Sequence, residues 1–119
     1  MINNLLIVGI GGAAGSMLRY LAQRFFNFSF PFGTILVNLT GCFLIGIFWA
    51  LITRNNLSES MRLLWITGFC GGFTTFSAFT AEGNQMIMEG RWLPLLMYLS
   101  VSIVGGFIVT FFGFKLFNT

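Results

Sequence analysis

Four long apolar runs separated by short polar segments set the pattern of this chain. The first is Leu5 to Leu18, ended by Arg19, and the predicted span continues through Tyr20, Leu21 and Ala22. The second is Phe32 to Thr53, opened by Pro31 and closed by Arg54. The third is Leu63 to Ala81, between Arg62 and Glu82, and the fourth is Leu93 to Phe114, between Arg91 and Lys115. A helix rises ~1.5 Å per residue and the hydrocarbon core is ~30 Å thick. Each run is therefore near the length of one crossing, and the pattern predicts transmembrane helices at 5–22, 32–53, 63–81 and 93–114. Turn-like segments are expected at Asn27–Pro31, Asn55–Ser58 and Glu82–Asn84. The first run is short enough to raise a signal peptide, but Met1-Ile2-Asn3-Asn4 lacks the positive start such a peptide carries. Arg19 and Arg24 follow the run instead, so a retained span is expected.

Composition agrees with this reading. Of 119 residues, 56% are hydrophobic and 8% are charged, against about 25% charged in a soluble domain. So few charges cannot cover the surface of a small soluble protein. The expected architecture is an all-α integral membrane protein, a single four-helix domain over 1–119, with both termini on one side. There is no His, and the two Cys, Cys42 and Cys70, lie apart inside apolar runs. That excludes His-based triads and makes a zinc or copper site and a disulfide improbable. The net charge of +3 is spread over the loops and forms no basic patch for nucleic acid.

Orientation normally follows the Lys/Arg excess of cytoplasmic loops. Here Arg54, Arg62 and Lys115 fall on one side, and Arg19, Arg24 and Arg91 on the other. The balance leaves two readings. Residues flanking Arg19 or Lys115 tip the orientation, or the chain inserts both ways and two copies pair antiparallel.

Polar groups inside the spans are the informative residues, because each needs a partner in lipid. Asn38 lies on one face of the second span with Thr34 and Cys42, and reads either as a helix–helix hydrogen bond or as a pore residue. Tyr98 and Ser102 share a face of the fourth span. The third span holds Gly68, Gly71, Gly72, Thr74, Thr75, Ser77 and Thr80 within 13 residues. Such a stretch makes a poor continuous helix, and a break is expected between Gly71 and Thr75. The alternative is a Gly-rich packing face, like Gly11 and Gly15 in the first span. Beyond it, Phe76 and Phe79 share a helix face. Ring edges carry the positive end of the aromatic quadrupole, so beside Thr75 and Ser77 the pair can face an anion without a fixed charge. No acidic residue lies in mid-span and Glu82 adjoins the end of the third. That speaks for a passive pathway rather than proton-coupled transport.

These residues resemble the small bacterial fluoride channels of the Fluc (CrcB) family over nearly the whole chain. The resemblance is carried by Gly11 to Tyr20, by Gly33-Thr34 through Asn38 to Gly41, and most specifically by Gly68-Phe-Cys-Gly-Gly-Phe-Thr-Thr-Phe-Ser-Ala-Phe79. Ala78 departs from it, standing where many relatives are expected to carry a hydroxyl. The resemblance implies an antiparallel homodimer in the bacterial inner membrane, with two fluoride pores and a structural Na⁺ at its centre. It maps the ion's backbone carbonyl ligands to Gly71 and Thr74. It maps the stacked phenylalanines to Phe76 and Phe79, the pore asparagine to Asn38, and the polar track to Tyr98 and Ser102. Thr75 and Ser77 are added to the expected pore, and Arg19 to its vestibule. The implied activity is passive fluoride export, not enzymatic, with no nucleic-acid or protein partner evident. Two other classes compete. A small multidrug or guanidinium exporter would need a Glu in the first span, and a non-transporting assembly subunit would leave Asn38 and the hydroxyl-rich third span without a role.

Overall fold

The computed structural model describes residues 1–118 and is helical throughout, with no strand among them beyond an isolated bridge between Asn27 and Pro31. The elements are α1 (Ile2–Phe26), α2 (Phe32–Thr53), α3 (Glu59–Arg62), a π-helix (Leu63–Cys70), α4 (Gly71–Phe73), α5 (Phe76–Met88) and α6 (Trp92–Phe117). Four stretches are long and apolar enough to cross a membrane: 2–26, 32–53, 59–88 and 92–117. The chain is a multi-pass membrane protein.

Helix ends follow local chemistry. α2 stops where Asn55 adopts φ +57° and the N–H of Asn56 bonds the carbonyl of Leu51, a left-handed C-terminal cap. Ser58 opens α3 by accepting the N–H of Met61 at 3.2 Å. The expected turn at Glu82–Asn84 is not there. α5 runs through it to Met88, and the chain turns at Gly90, whose φ of +69° favours glycine, with the N–H of Arg91 on the Met86 carbonyl at 2.8 Å. Glu82 consequently lies within a helix rather than at the end of one.

Packing relies on close backbone approach, because lipid offers no hydrophobic drive between helices. A Cβ on Gly11 would strike the Leu64 carbonyl, and one on Gly15 the Phe69 carbonyl, so α1 lies directly on the π-helix. Gly68 and Gly72 answer from the other side, against Val8 and Gly12. α2 and α6 form the second close pair, with Gly46 against the Thr110 carbonyl and Gly113 against that of Phe43. Large apolar side chains such as Phe107, 78% exposed, face outward, as bilayer contact or a partner subunit requires.

Candidate functional site

The helical path of the third crossing stops at Phe73. Thr74 (φ −88°, ψ 156°) and Thr75 (φ −150°, ψ 120°) are extended, and the helix resumes at Phe76. Thr75 caps the new helix, its hydroxyl accepting the N–H of Ala78 at 3.1 Å. The glycines of this stretch differ in their surroundings. Gly68 and Gly72 pack on α1, whereas the nearest atom to a Cβ on Gly71 would be the Ile66 carbonyl at 3.8 Å.

In a continuous helix the N–H groups of Thr75 and Ala78 would bond the carbonyls of Gly71 and Thr74. Here they bond Asn38 Oδ1 (2.8 Å) and the Thr75 hydroxyl instead. The Gly72 carbonyl accepts Arg19 Nε at 3.0 Å, and Ser16 Oγ lies 3.5 Å from it. Gly71 and Thr74 thus keep carbonyls whose helical donors are engaged elsewhere, within an apolar layer where such oxygens need a partner. Neutral carbonyl oxygens are hard ligands that suit an alkali cation. No group of three or more His, Cys, Asp or Glu that would draw a heavier metal occurs among the described residues. The donor set fits sodium.

α2 brings Asn38 to this break and α6 brings Ser102. Together with Cys42, Thr74, Thr75, Phe76 and Phe79 they line a cavity of about 310 Å³. Ser102 Oγ is buried there with no hydrogen-bond partner among the described residues. The rings of Phe76 and Phe79 lie 5.8 Å apart, tilted at 46°. Phe79 is 9% exposed, while Phe76 is 76% exposed and projects outward. Six expected site residues, Asn38, Thr74, Thr75, Phe76, Phe79 and Ser102, therefore meet in one place. Ser77 does not line the cavity; its hydroxyl lies 3.2 Å from that of Thr75 on the exposed side. Arg19 is engaged with Gly72 and lies 3.5 Å from Gln23.

Tyr98 is fully buried beside the cavity rather than in its lining. Its ring meets Phe79 edge-on at 4.9 Å, and its hydroxyl donates to Glu82 Oε1 at 2.7 Å. The other oxygen of Glu82 accepts from Thr34 Oγ1 (2.9 Å) and Asn27 Nδ2 (3.0 Å), and Gln23 donates to the same Thr34 hydroxyl. Three neutral donors, from α2, α6 and the α1–α2 turn, thus hold the half-buried carboxyl group of Glu82. Glu82 opens on its far side onto a polar cavity of about 420 Å³ with Asn27, Ser29, Gln85, Glu89 and Arg91. The sequence-based site omitted Glu82. The signal was present in its spacing, since Phe76, Phe79, Glu82 and Met86 continue one face of α5.

The family described as "CrcB-like protein, Camphor Resistance (CrcB)" matches residues 6–114. The chain is 45% identical over 117 residues to the fluoride-specific ion channel FluC of Chloroflexus aurantiacus, covering 93% of this chain and 92% of that one. It is 46% identical over 116 residues to the FluC of Chlorobium phaeobacteroides, covering 94% and 91%. It is 41% identical over 121 residues to that of Azobacteroides pseudotrichonymphae, covering 98% and 97%.

Proposed function

The chain belongs to the CrcB family, and from that premise we propose that it is a fluoride-selective channel of the bacterial inner membrane. It releases cytoplasmic fluoride passively, down its electrochemical gradient, and so protects against fluoride toxicity. It is not an enzyme. The observation that carries this reading is the unpartnered Ser102 hydroxyl, buried in a cavity it shares with Phe76 and Phe79. Fluoride holds its water tightly, so a purely apolar passage would exclude it, while a fixed cation deep in the passage would trap it. A free hydroxyl and positive ring edges offer weak sites that partly replace hydration and then release the ion, as conduction requires.

The functional unit in this reading is an antiparallel dual-topology homodimer with two pores. Its support is the equal number of Lys and Arg residues at the two ends, three against three, and a groove of about 650 Å³ between α2 and α6. That groove shares Cys42, Ile45, Ser102, Ile103 and Thr110 with the site cavity, so a second copy seated there would complete the pathway wall. Sodium would be held at the dimer centre by the Gly71 and Thr74 carbonyls. When bound, it would supply positive charge that satisfies these oxygens. The exporter alternative needs an acidic residue in the first helix, and Ile2–Phe26 has none.

The test is fluoride efflux from liposomes with Ser102→Ala. Flux is expected to fall by roughly tenfold, equivalent to ~1.4 kcal/mol in the barrier. Wild-type flux from this variant would place the anion path elsewhere.

A further inference from the structure

We propose that Asn38 is a positioning residue, which holds the helix break open by pairing with both backbone groups of Thr75. This rests on the reading of Gly71 and Thr74 as the sodium ligands. Asn38 Nδ2 donates to the Thr75 carbonyl at 3.1 Å, and Oδ1 accepts the Thr75 N–H at 2.8 Å. The two contacts fix the amide's orientation chemically, since an N–H can only donate and a carbonyl only accept.

The backbone explains why one side chain can do both. At φ −150° and ψ 120° Thr75 is in a strand conformation, with its N–H and C=O directed to the same side. Two residues facing each other across an antiparallel pair exchange two such bonds. The carboxamide of Asn38 supplies the same donor and acceptor, so it stands in for a neighbouring strand in a membrane layer that has none. Taking the Thr75 N–H is also what deprives the Gly71 carbonyl of its helical donor.

Neighbouring residues cooperate. Gly41, three positions on along α2, leaves the room that the Thr74 methyl occupies. From the opposite side, Arg19 Nε takes the Gly72 carbonyl. The break is thereby gripped by α1 and α2, and the Gly71 and Thr74 carbonyls are the ones released. With one N–H and its oxygen committed to Thr75, Asn38 acts on the pathway through the break's geometry, and its second N–H is left over.

The experiment uses the full-length purified protein in detergent and fluoride-free buffer. The unfolding temperature is measured against sodium concentration, with a bulky organic cation as replacement. A ligand that binds only the folded state raises this temperature as its concentration rises. Asn38→Ala is expected to lose the sodium response or to need more than about tenfold higher sodium. Asn38→Asp supplies a second arm. Its protonated acid offers the same donor and acceptor, so the response returns at low pH and disappears once the acid ionises. Cys42 is the one other titratable side chain lining that cavity among the described residues. Ser102→Ala, which touches no backbone of the break, keeps the sodium response. A wild-type sodium response in both Asn38 variants, with only flux reduced, would overturn the proposal and make Asn38 a pore ligand. If the wild type itself shows no sodium response, the sodium reading fails, and backbone hydrogen exchange at Thr75 decides the clamp. Faster exchange in Asn38→Ala then supports it, and unchanged exchange overturns it.

Discussion

Tyr98 donates its hydroxyl to Glu82 at 2.7 Å, joining α5 and α6 across 16 positions of sequence. The bond ties the ring that packs on Phe79 to the one carboxylate among the described residues of the buried polar network. Tyr98→Phe keeps the ring and its edge-on contact with Phe79 but leaves Glu82 Oε1 without this donor. A hydrogen bond to a carboxylate contributes about 1.5–3 kcal/mol. A stability loss of that size is expected in unfolding experiments, with reduced fluoride flux from a protein that still folds. Unchanged stability and flux would mean that the bond contributes nothing.

Gly41 and Thr74 should be coupled. A Cβ at Gly41 would fall on the Thr74 methyl, so Gly41→Ala is expected to displace the break and destabilise the protein by about 1–3 kcal/mol, as overpacking does. Thr74→Ser removes that methyl while keeping both the hydroxyl that bonds the Cys70 carbonyl and the backbone carbonyl. Alone it should be mild. Combined with Gly41→Ala it should restore most of the stability and flux, and a double-mutant cycle measures the coupling. Additive effects would show that the two residues do not meet.

Equal numbers of Lys and Arg at the two ends make orientation sensitive to small additions. Two Lys placed among Asn55, Asn56 and Leu57 should bias insertion toward one orientation. Reporters fused to the C-terminus should then report from a single side, and functional dimers should become fewer. A single orientation in the unmodified protein would contradict dual topology.

Phe76→Ile and Phe79→Ile remove the ring edges and keep apolar bulk. Each is expected to reduce fluoride flux by more than tenfold, at least ~1.4 kcal/mol in the barrier, while size-exclusion profiles stay unchanged. Phe112→Ile, which lines neither the groove nor the site cavity, should cost much less. Full flux through both α5 variants would make Phe76 and Phe79 ordinary packing residues.

The four crossings were legible because long apolar runs flanked by charges are the strongest pattern a sequence carries. The extended pair Thr74–Thr75 falls inside the Gly71–Thr75 stretch whose composition disfavours a helix. Less legible were the partners. Asn38 left both its readings open, because nothing local says that it meets Thr75 across 37 positions. Glu82 was placed at a span's end because hydropathy falls there, yet its three donors come from α2, α6 and the α1–α2 turn. Gly83-Asn84 suggested a turn, but tertiary hydrogen bonds outweigh that local preference. The π-helix leaves no signature, since its widening answers the backbone of α1 at Gly11 and Gly15.

Anion efflux from liposomes holding purified wild-type protein, with fluoride and chloride compared under the same gradient, tests the central claim most directly. Neutral donors and ring edges in a narrow passage predict rapid, passive fluoride efflux and chloride efflux no faster than from protein-free liposomes. Equal passage of the two anions, or no fluoride movement from correctly folded protein, would contradict the account.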